Sequence, residues 1–273
     1  MPCEQPQTGT VRAAPWTSGQ WCYYYHRNAE RLLTLPWQCG AELTEAERQA
    51  VAASLQEFQL GESSEGHNLL RRATQYAERA DDPEYVEAMQ LFVREEQRHA
   101  RVLGRFLHLA GVEPLKRSRL DTAFRLLRRL AGLVLSITVL LTAETIGKVY
   151  YRALRRATGS ALLRRVCDQL LRDEVRHMRF QAERLAILRR GRARWRVWLA
   201  HGCHRLLFGG ACLLVWGKHR RALRAGGLGF RGFWRECWQE MCGVLKIMDP
   251  RGYRWAGERT RYEVPVVYER VQS

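Results

Sequence analysis

The sequence predicts an all-α protein in which residues 43–190 form four long helices, arranged as an up-down bundle. Apolar residues recur three or four positions apart over long stretches, which is the pattern of helices that bury one face. Gly, Pro and capping residues interrupt these stretches at only a few points. Strand-like alternation is nearly absent, and its best candidate is residues 263–271. We therefore divide the chain into an N-terminal segment (1–42), the bundle (43–190) and a basic, helical C-terminal extension (191–273).

The N-terminal segment is rich in Pro, Gly and aromatic residues, and it predicts one short amphipathic helix that packs onto the bundle. The first bundle helix begins at a capping box, Thr44-Glu45-Ala46-Glu47, and is predicted to run to about Ala80. Asp81-Asp82-Pro83 supplies a turn and the start of the second helix, which ends near Gly111. These two helices form the first hairpin.

The second hairpin follows a basic connector. Its first helix is predicted from about Thr122 to Ala157, with Gly159 as the glycine that closes it. Ser160 then caps the fourth helix, which stays periodic until Gly191. Two tight hairpins joined by a longer connection give the up-down bundle.

Two apolar stretches need to be compared with membrane spans. Residues 130–143 and 206–217 have 14 and 12 uncharged residues, whereas a spanning helix needs about 18 or more. We expect the first stretch to be buried in the bundle or in a homodimer interface. The second is bordered by Trp and Arg residues, so an interfacial helix on anionic lipid is an alternative to ordinary packing.

The charge is unusual, because 45 basic and 28 acidic residues give a net charge of +17. Residues 189–273 carry 18 Lys and Arg against 6 Asp and Glu, so the excess lies in the C-terminal third. This favours an anionic partner, RNA or an anionic membrane surface, for residues 191–273. No secretion signal is readable at the start, so we expect a cytoplasmic protein, either soluble or peripheral at the membrane. The 46% hydrophobic and 27% charged residues argue against a disordered chain or a multi-span membrane protein.

Two Glu-x-x-His motifs are the strongest chemical signal in the chain. They are Glu96-Gln97-Arg98-His99 and Glu174-Val175-Arg176-His177. The spacing places each Glu and His on one helix face, where the pair can bind one metal ion. Each motif also lies near the middle of the second helix of its hairpin.

The first helix of the second hairpin offers a matching carboxylate. Glu144 precedes Glu174 by 30 residues, and their midpoint falls on Gly159 in the turn, so the two side chains should face each other. Glu144 also continues an inward-facing seam, where an unpaired carboxylate is costly and a cation is favoured. The seam consists of Val134, Ile137, Leu141, Lys148 and Tyr151.

In the first hairpin the matching carboxylate is Glu62 or Glu65, which precede Glu96 by 34 and 31 residues, and the spacing leaves both open. The complete set of carboxylates and two imidazoles suits two iron ions, or manganese, better than zinc. The alternative is that each motif is a solvated face of an Arg-rich helix. Candidate ligands at matching positions on four helices argue against this alternative.

With the order Glu, Glu-x-x-His, Glu, Glu-x-x-His, residues 43–190 resemble the ferritin-like di-iron carboxylate superfamily. The segment Phe58-Gln59-Leu60-Gly61-Glu62-Ser63 is similar to the first-ligand segment of rubrerythrin-type members, which favours Glu62 over Glu65. The resemblance implies a ferritin-like bundle holding two Fe ions. It implies terminal ligands Glu62, His99, Glu144 and His177, bridging ligands Glu96 and Glu174, and Glu65 as an additional ligand or a neighbour of one. The rubredoxin-like Cys cluster of rubrerythrins is missing.

Tyr151 lies seven residues after Glu144 on the same face. A packed core tyrosine is the simpler interpretation. The alternative is that Tyr151 supplies a hydrogen bond or a redox-active phenol near the metals. Seam spacing predicts that Phe92, Leu141 and Leu170 line the site together with it.

These features predict a non-haem di-iron oxidoreductase that activates dioxygen or peroxide. It would act on an unidentified small-molecule substrate with an unidentified electron donor. One alternative is ferritin-like iron handling, as a ferroxidase or store, against which the net charge of +17 argues. The other is a metal-free helical scaffold that binds RNA or an anionic membrane.

Overall fold

The computed structural model describes residues 11–63, 66–118 and 132–255, and within these ranges the protein is all-helical, as predicted. Its helices are α1 (Ser18–Ala29), α2 (Glu45–Glu62), α3 (His67–Ala80), α4 (Glu84–Leu109), α5 (Leu133–Arg156), α6 (Ala161–Arg189), α7 (Arg194–Ala225) and α8 (Phe230–Ile247). Short 3-10 turns occur at Trp37–Cys39 and Pro250–Gly252. The candidate ligand Glu65, the predicted strand at 263–271 and the predicted start of the third bundle helix lie outside the described residues.

Side-chain caps set several of the helix starts. Thr44 and Glu47 form the predicted capping box at α2, and Thr17 and Gln20 form a second one at α1. The Ser160 hydroxyl accepts a hydrogen bond from the backbone N–H of Leu163 at 3.2 Å. These caps satisfy backbone N–H groups that a helix leaves without partners in its first turn.

The prediction of one helix from residue 43 to Ala80 was wrong, because the chain breaks between α2 and α3. Gly66 has a φ of +70°, a left-handed conformation that glycine adopts without strain. A Cβ atom at this position would lie 2.8 Å from a methyl group of Val93 on α4. The close approach to α4 therefore favours glycine at this position, which is the N-cap of α3.

The described helices share two hydrophobic clusters. The larger one joins α2, α4, α5 and α6 with the C-terminal helices, whose Phe208 and Phe233 are fully buried in it. Helices α7 and α8 thus pack into the same core as the bundle helices. The smaller cluster joins α1 to α3, α4 and α6 around Trp21, Tyr25 and Phe92. It fulfils the expectation that a short N-terminal helix packs onto a larger body.

Two helices are long and apolar enough to cross a membrane, judged by length and composition alone. They are Leu133–Arg156 and Arg194–Ala225. In the first, 72% of the apolar window is buried inside the protein, as expected for a core helix. In the second, only 33% of the window is buried.

Candidate metal centre

Six of the predicted site residues meet in the interior, and they come from four helices. The structure brings them into three overlapping groups, each with its potential ligand atoms within 4.8 Å of one another. The groups are Glu96, His99 and His177; Glu62, His99 and Glu174; and Glu144, Glu174 and His177.

Each histidine is held in place by the carboxylate that directly precedes the other Glu-x-x-His motif. The Nε2 atom of His99 lies 3.0 Å from an oxygen of Asp173, and Nε2 of His177 lies 2.9 Å from an oxygen of Glu95. Glu95 and Asp173 are the residues that directly precede the two predicted metal-ligating glutamates. A carboxylate bound to one ring nitrogen fixes the ring and directs the other nitrogen, here Nδ1, toward the centre.

The ligand atoms that face the centre make no aligned hydrogen bond and contact mainly one another, with Nδ1 of His177 3.0 Å from Oε1 of Glu96. Five buried ligand atoms share this property: Glu96 Oε1, His99 Nδ1, Glu144 Oε2, Glu174 Oε2 and His177 Nδ1. A buried polar atom without a partner costs about 1–3 kcal/mol, so five such atoms around one point are unfavourable by themselves. They are oxygen and imidazole nitrogen atoms, the donors that iron and manganese accept, so the residues fit metal ions.

A buried network behind the histidines holds their carboxylates. Asn28 of α1 donates hydrogen bonds to Glu95 at 2.7 Å and to Asp173 at 2.9 Å. Gln169 donates to both carboxylate oxygens of Asp173, at 3.0 and 2.9 Å, and Arg98 donates to Asp173 at 2.7 Å. The N-terminal helix therefore supports the site directly.

This network was not predicted, although the sequence contains part of its signal. Both motifs can be extended by one residue to the pattern acidic, Glu, x, Arg, His, which spans residues 95–99 and 173–177. The repeated acidic residue pointed to Glu95 and Asp173. Asn28 lies 67 positions from Glu95 in the sequence, and no local pattern connects the two.

Crowding of the carboxylates shifts their pKa values in opposite directions. Burial and the neighbouring Glu144 and Glu62 raise the pKa of Glu96 to about 8. Burial and Glu144 raise the pKa of Glu174 well above its ordinary value. The pKa of Glu144 is lowered despite burial, because Glu174 and His177 hydrogen-bond to it. The metal-free site thus carries protons that metal ions would displace.

The histidines also hold protons in the metal-free protein. Burial lowers the pKa of His99, but the carboxylates of Asp173 and Glu62, which accept from the protonated ring, outweigh burial and raise the pKa to about 10. The pKa of His177 is raised in the same way, by Glu144 and Glu95 against the effect of burial. Metal binding must release these protons, so we expect metal affinity to rise with pH.

The stability of the metal-free protein should depend on pH through Glu96. Folding raises the pKa of Glu96, so its protonated carboxyl group contributes fully to stability at pH values below the ordinary pKa of 4.5. This contribution is lost as the pH rises to about 8. With a chelator present, the wild type should lose up to about 1.4 kcal/mol per pH unit relative to Glu96→Gln. Urea unfolding of both proteins between these pH limits measures the difference, and a constant difference would contradict the burial of an ionisable Glu96.

Tyr151 contacts a candidate ligand, as its spacing suggested. Its hydroxyl donates to a carboxylate oxygen of Glu62 at 2.5 Å. The ring of Phe92 packs edge-on against His177, with 4.9 Å between ring centroids. Tyr25, which was not predicted, is fully buried on the same side with its ring centroid 6.3 Å from that of His177.

Some residues assigned to the inward seam do not face the centre. Val134 is 39% exposed, and the Lys148 ammonium group pairs with Glu240 of α8 at 2.8 Å. The seam was drawn from helical spacing alone, and it did not include α8 as a second neighbour of α5. Leu141 and Leu170 are buried in the larger core cluster.

The ligand side chains differ in their exposure to solvent, and the more exposed ones mark the solvent side of the centre. Glu62 and Glu96 have side chains that are 11% and 15% exposed, whereas the side chains of Glu144 and both histidines are at most 4% exposed. Glu62 is also the last residue of α2, whereas the other candidate ligands that the structure describes lie inside their helices. The ligand set is therefore nearest to solvent beside Glu62 and Glu96.

Replacing Asp173 with Asn should weaken metal binding while the fold is kept. The amide retains the size of the side chain but loses the negative charge that orients and polarises His99, and such changes typically cost 10–100-fold in metal affinity. Titration with Mn²⁺ measures the loss. The matched control is Asp168→Asn on the same helix, whose side chain pairs with Arg155 away from the site, and equal affinities for both variants would refute the positioning role.

Within the described residues, the geometry establishes an all-helical protein with a buried cluster of Glu and His residues that could bind a metal ion. The ferritin-like bundle stays a prediction that rests on the order and spacing of the ligands. No family model, curated protein or solved structure matches the chain.

Proposed function

We propose that this protein is a non-haem di-iron oxidoreductase, with manganese as the alternative metal, that activates dioxygen or peroxide. The observation that carries the proposal is the set of carboxylate and imidazole ligand atoms that converge in the interior from four helices. Four carboxylates and two imidazoles are more ligands than one ion needs, and they match the donor set of di-metal carboxylate proteins.

The overlap of the three ligand groups supports two ions rather than one. Glu174 belongs both to the group with Glu62 and His99 and to the group with Glu144 and His177. Glu96 lies in one group with both histidines. Both glutamates are therefore near the ligands of both proposed ions, and a carboxylate has two oxygens with which to bridge them. When bound, redox-active ions of this kind supply electron transfer to dioxygen or peroxide.

The side chains around the ligands would serve this chemistry in three ways. Glu95 and Asp173 keep both imidazole rings oriented, so that the ligand set need not reorganise during reaction. Tyr151 holds Glu62 by a hydrogen bond on the solvent side of the centre. Phe92 and Tyr25 cover His177 with aromatic rings and exclude water from that side.

Oxygen uptake tests the proposed reaction class. Protein loaded with Fe²⁺ under anaerobic conditions should consume dioxygen faster than the same concentration of Fe²⁺ in buffer, because the site holds the ions in an oxygen-donor environment shielded from water. The His99→Ala variant should show no acceleration, and Asp168→Asn should behave like the wild type. A wild type that binds iron but does not accelerate oxygen uptake would contradict the oxidoreductase proposal.

A further inference from the structure

Helix α7 is apolar on both of its sides. Its inner side lies in the core, where Phe208, Ala211, Cys212 and Val215 are buried. On its outer side Leu206, Leu213 and Leu214 are 79%, 54% and 59% exposed. Surface helices of soluble proteins normally present charged or polar residues outward. The outer side of α7 is therefore unusual for a helix that faces only water.

The exposed apolar residues lie in a line along one face. The apolar stripe, as we define it, consists of Trp195, Leu199, Gly202, Leu206, Gly210, Leu213 and Gly217, spaced three or four residues apart. At 1.5 Å per residue it extends about 27 Å from Leu199 to Gly217. Trp198 and Leu214 flank it and widen the apolar surface, with 71% and 59% of their surface exposed.

Positive charge marks both ends of the apolar stripe. The same face continues into the exposed residues Arg220 and Arg224 at one end, and Arg192 and Arg196 are exposed at the other. Helix α7 has no Asp or Glu along its whole length. Tryptophan and arginine at the borders of an apolar surface are typical of helices that lie at a membrane interface.

We propose that the apolar stripe of α7 lies on the surface of a membrane that contains anionic phospholipids. The leucines would enter the boundary between headgroups and acyl chains, and the arginines at both ends would contact the phosphates. This proposal is independent of the metal centre. RNA fits the surface less well, because a polyanion needs positive charge along the stripe, where there is none.

A second copy of the chain also fits less well. Both ends of the stripe are basic, so pairing two copies in either direction would place arginines against arginines, which is repulsive. A bilayer surface offers apolar chains to the leucines of the stripe and negative phosphates to the arginines at its ends.

The helix would lie in the membrane plane rather than cross it. Its inner side packs on α2 and α5, and Lys218 pairs with Glu57 of α2 at 2.8 Å. A crossing helix would carry Glu57 and its neighbours into the hydrocarbon region, where charged groups are costly. Lying flat leaves α2 and α5 on the aqueous side.

Flotation with lipid vesicles tests the proposal. The wild type should float with phosphatidylcholine vesicles that contain about one third phosphatidylglycerol and only weakly with phosphatidylcholine alone. The double variant Leu206→Glu, Leu213→Glu should lower the partition coefficient on the order of 100-fold, because two leucines no longer enter the interface. Replacing Arg220 and Arg224 with Gln should lower binding to the anionic vesicles about tenfold.

The control is Leu109→Glu, which places the same change at a 42% exposed leucine of α4, away from the stripe. It should float like the wild type, and circular dichroism should show that all variants remain folded. Three results would overturn the proposal: no flotation of the wild type, flotation that the leucine double variant does not change, or a soluble dimer that the double variant dissociates.

Discussion

The Glu174→Gln variant should lose metal binding while its metal-free form stays folded and as stable as the wild type, or more so. In the metal-free protein the pKa of Glu174 is raised well above its ordinary value, so its carboxyl group is protonated and next to Glu144. Glutamine has the shape of a protonated glutamate and can donate to Glu144 in the same way. It cannot serve as an anionic ligand between two ions.

The difference should be large in a thermal-shift measurement. At a metal concentration of about 100 times the dissociation constant, the wild type gains about 2.7 kcal/mol, which corresponds to roughly 5–8 °C in Tm for a chain of this size. Losing a shared ligand should exceed the 10–100-fold cost of an outer partner and reach on the order of 1000-fold in affinity. The variant should then show no shift at that concentration.

Glu87→Gln on the exposed side of α4 provides the control, since Glu87 pairs with His26 at the surface, away from the site. It should keep the full metal-dependent shift. A Glu174→Gln protein that is still stabilised by metal would show that the ions bind elsewhere, and one that is unfolded without metal would show that the glutamate has a structural role.

Gly226→Ala should cause the largest loss of stability among the glycine substitutions. Gly226 follows the end of α7 and lies against the backbone carbonyl of Ala153 in α5, so a Cβ atom would overlap that carbonyl oxygen. Neither backbone can move without separating the two helices. We expect a cost of about 3 kcal/mol and a decrease in Tm of roughly 6–9 °C.

The matched control should change the stability of the protein in the opposite direction. Gly243 is exposed in the middle of α8, and a Cβ atom there would meet no atom within 4 Å. Gly243→Ala should stabilise the protein by about 1 kcal/mol, because alanine has the higher helix propensity. Chemical denaturation compares both variants with the wild type. Equal behaviour at the two positions would contradict the docking of α7 against α5.

Local chemistry predicted much of the helix order. Capping at Thr44 and Ser160 and the turn at Asp81-Asp82-Pro83 mark helix boundaries through contacts between residues two to four positions apart. The break at Gly66 was missed because its cause is not local. It follows from the approach of the chain to Val93, which periodicity cannot reveal.

The candidate ligands were accessible to sequence reasoning for the same reason. Glu-x-x-His spacing places two donors on one helix face, and the symmetric position of Glu144 and Glu174 about Gly159 places two helices in register. The network around Asp173 requires Asn28 of α1 and Arg98 of α4 to meet α6. Such contacts depend on tertiary packing and have no signature in any single segment.

The packing of the C-terminal helices was also beyond the sequence. Because α7 is apolar on both sides, its period indicates neither which side is buried nor against what. Phe208 and Leu206 are two residues apart and equally apolar, yet one is fully buried and the other is 79% exposed. Tertiary packing distinguishes them, including the contact of Phe208 with Trp238 of α8 at 5.5 Å between ring centroids.

Metal content per chain tests the central claim most directly. The wild type, expressed with added iron, should contain about two irons per chain, and the double variant Glu144→Ala, His177→Ala should contain almost none. Circular dichroism of both proteins would establish that the variant is folded. Negligible metal in the folded wild type, or the same metal content in both proteins, would contradict the di-metal centre.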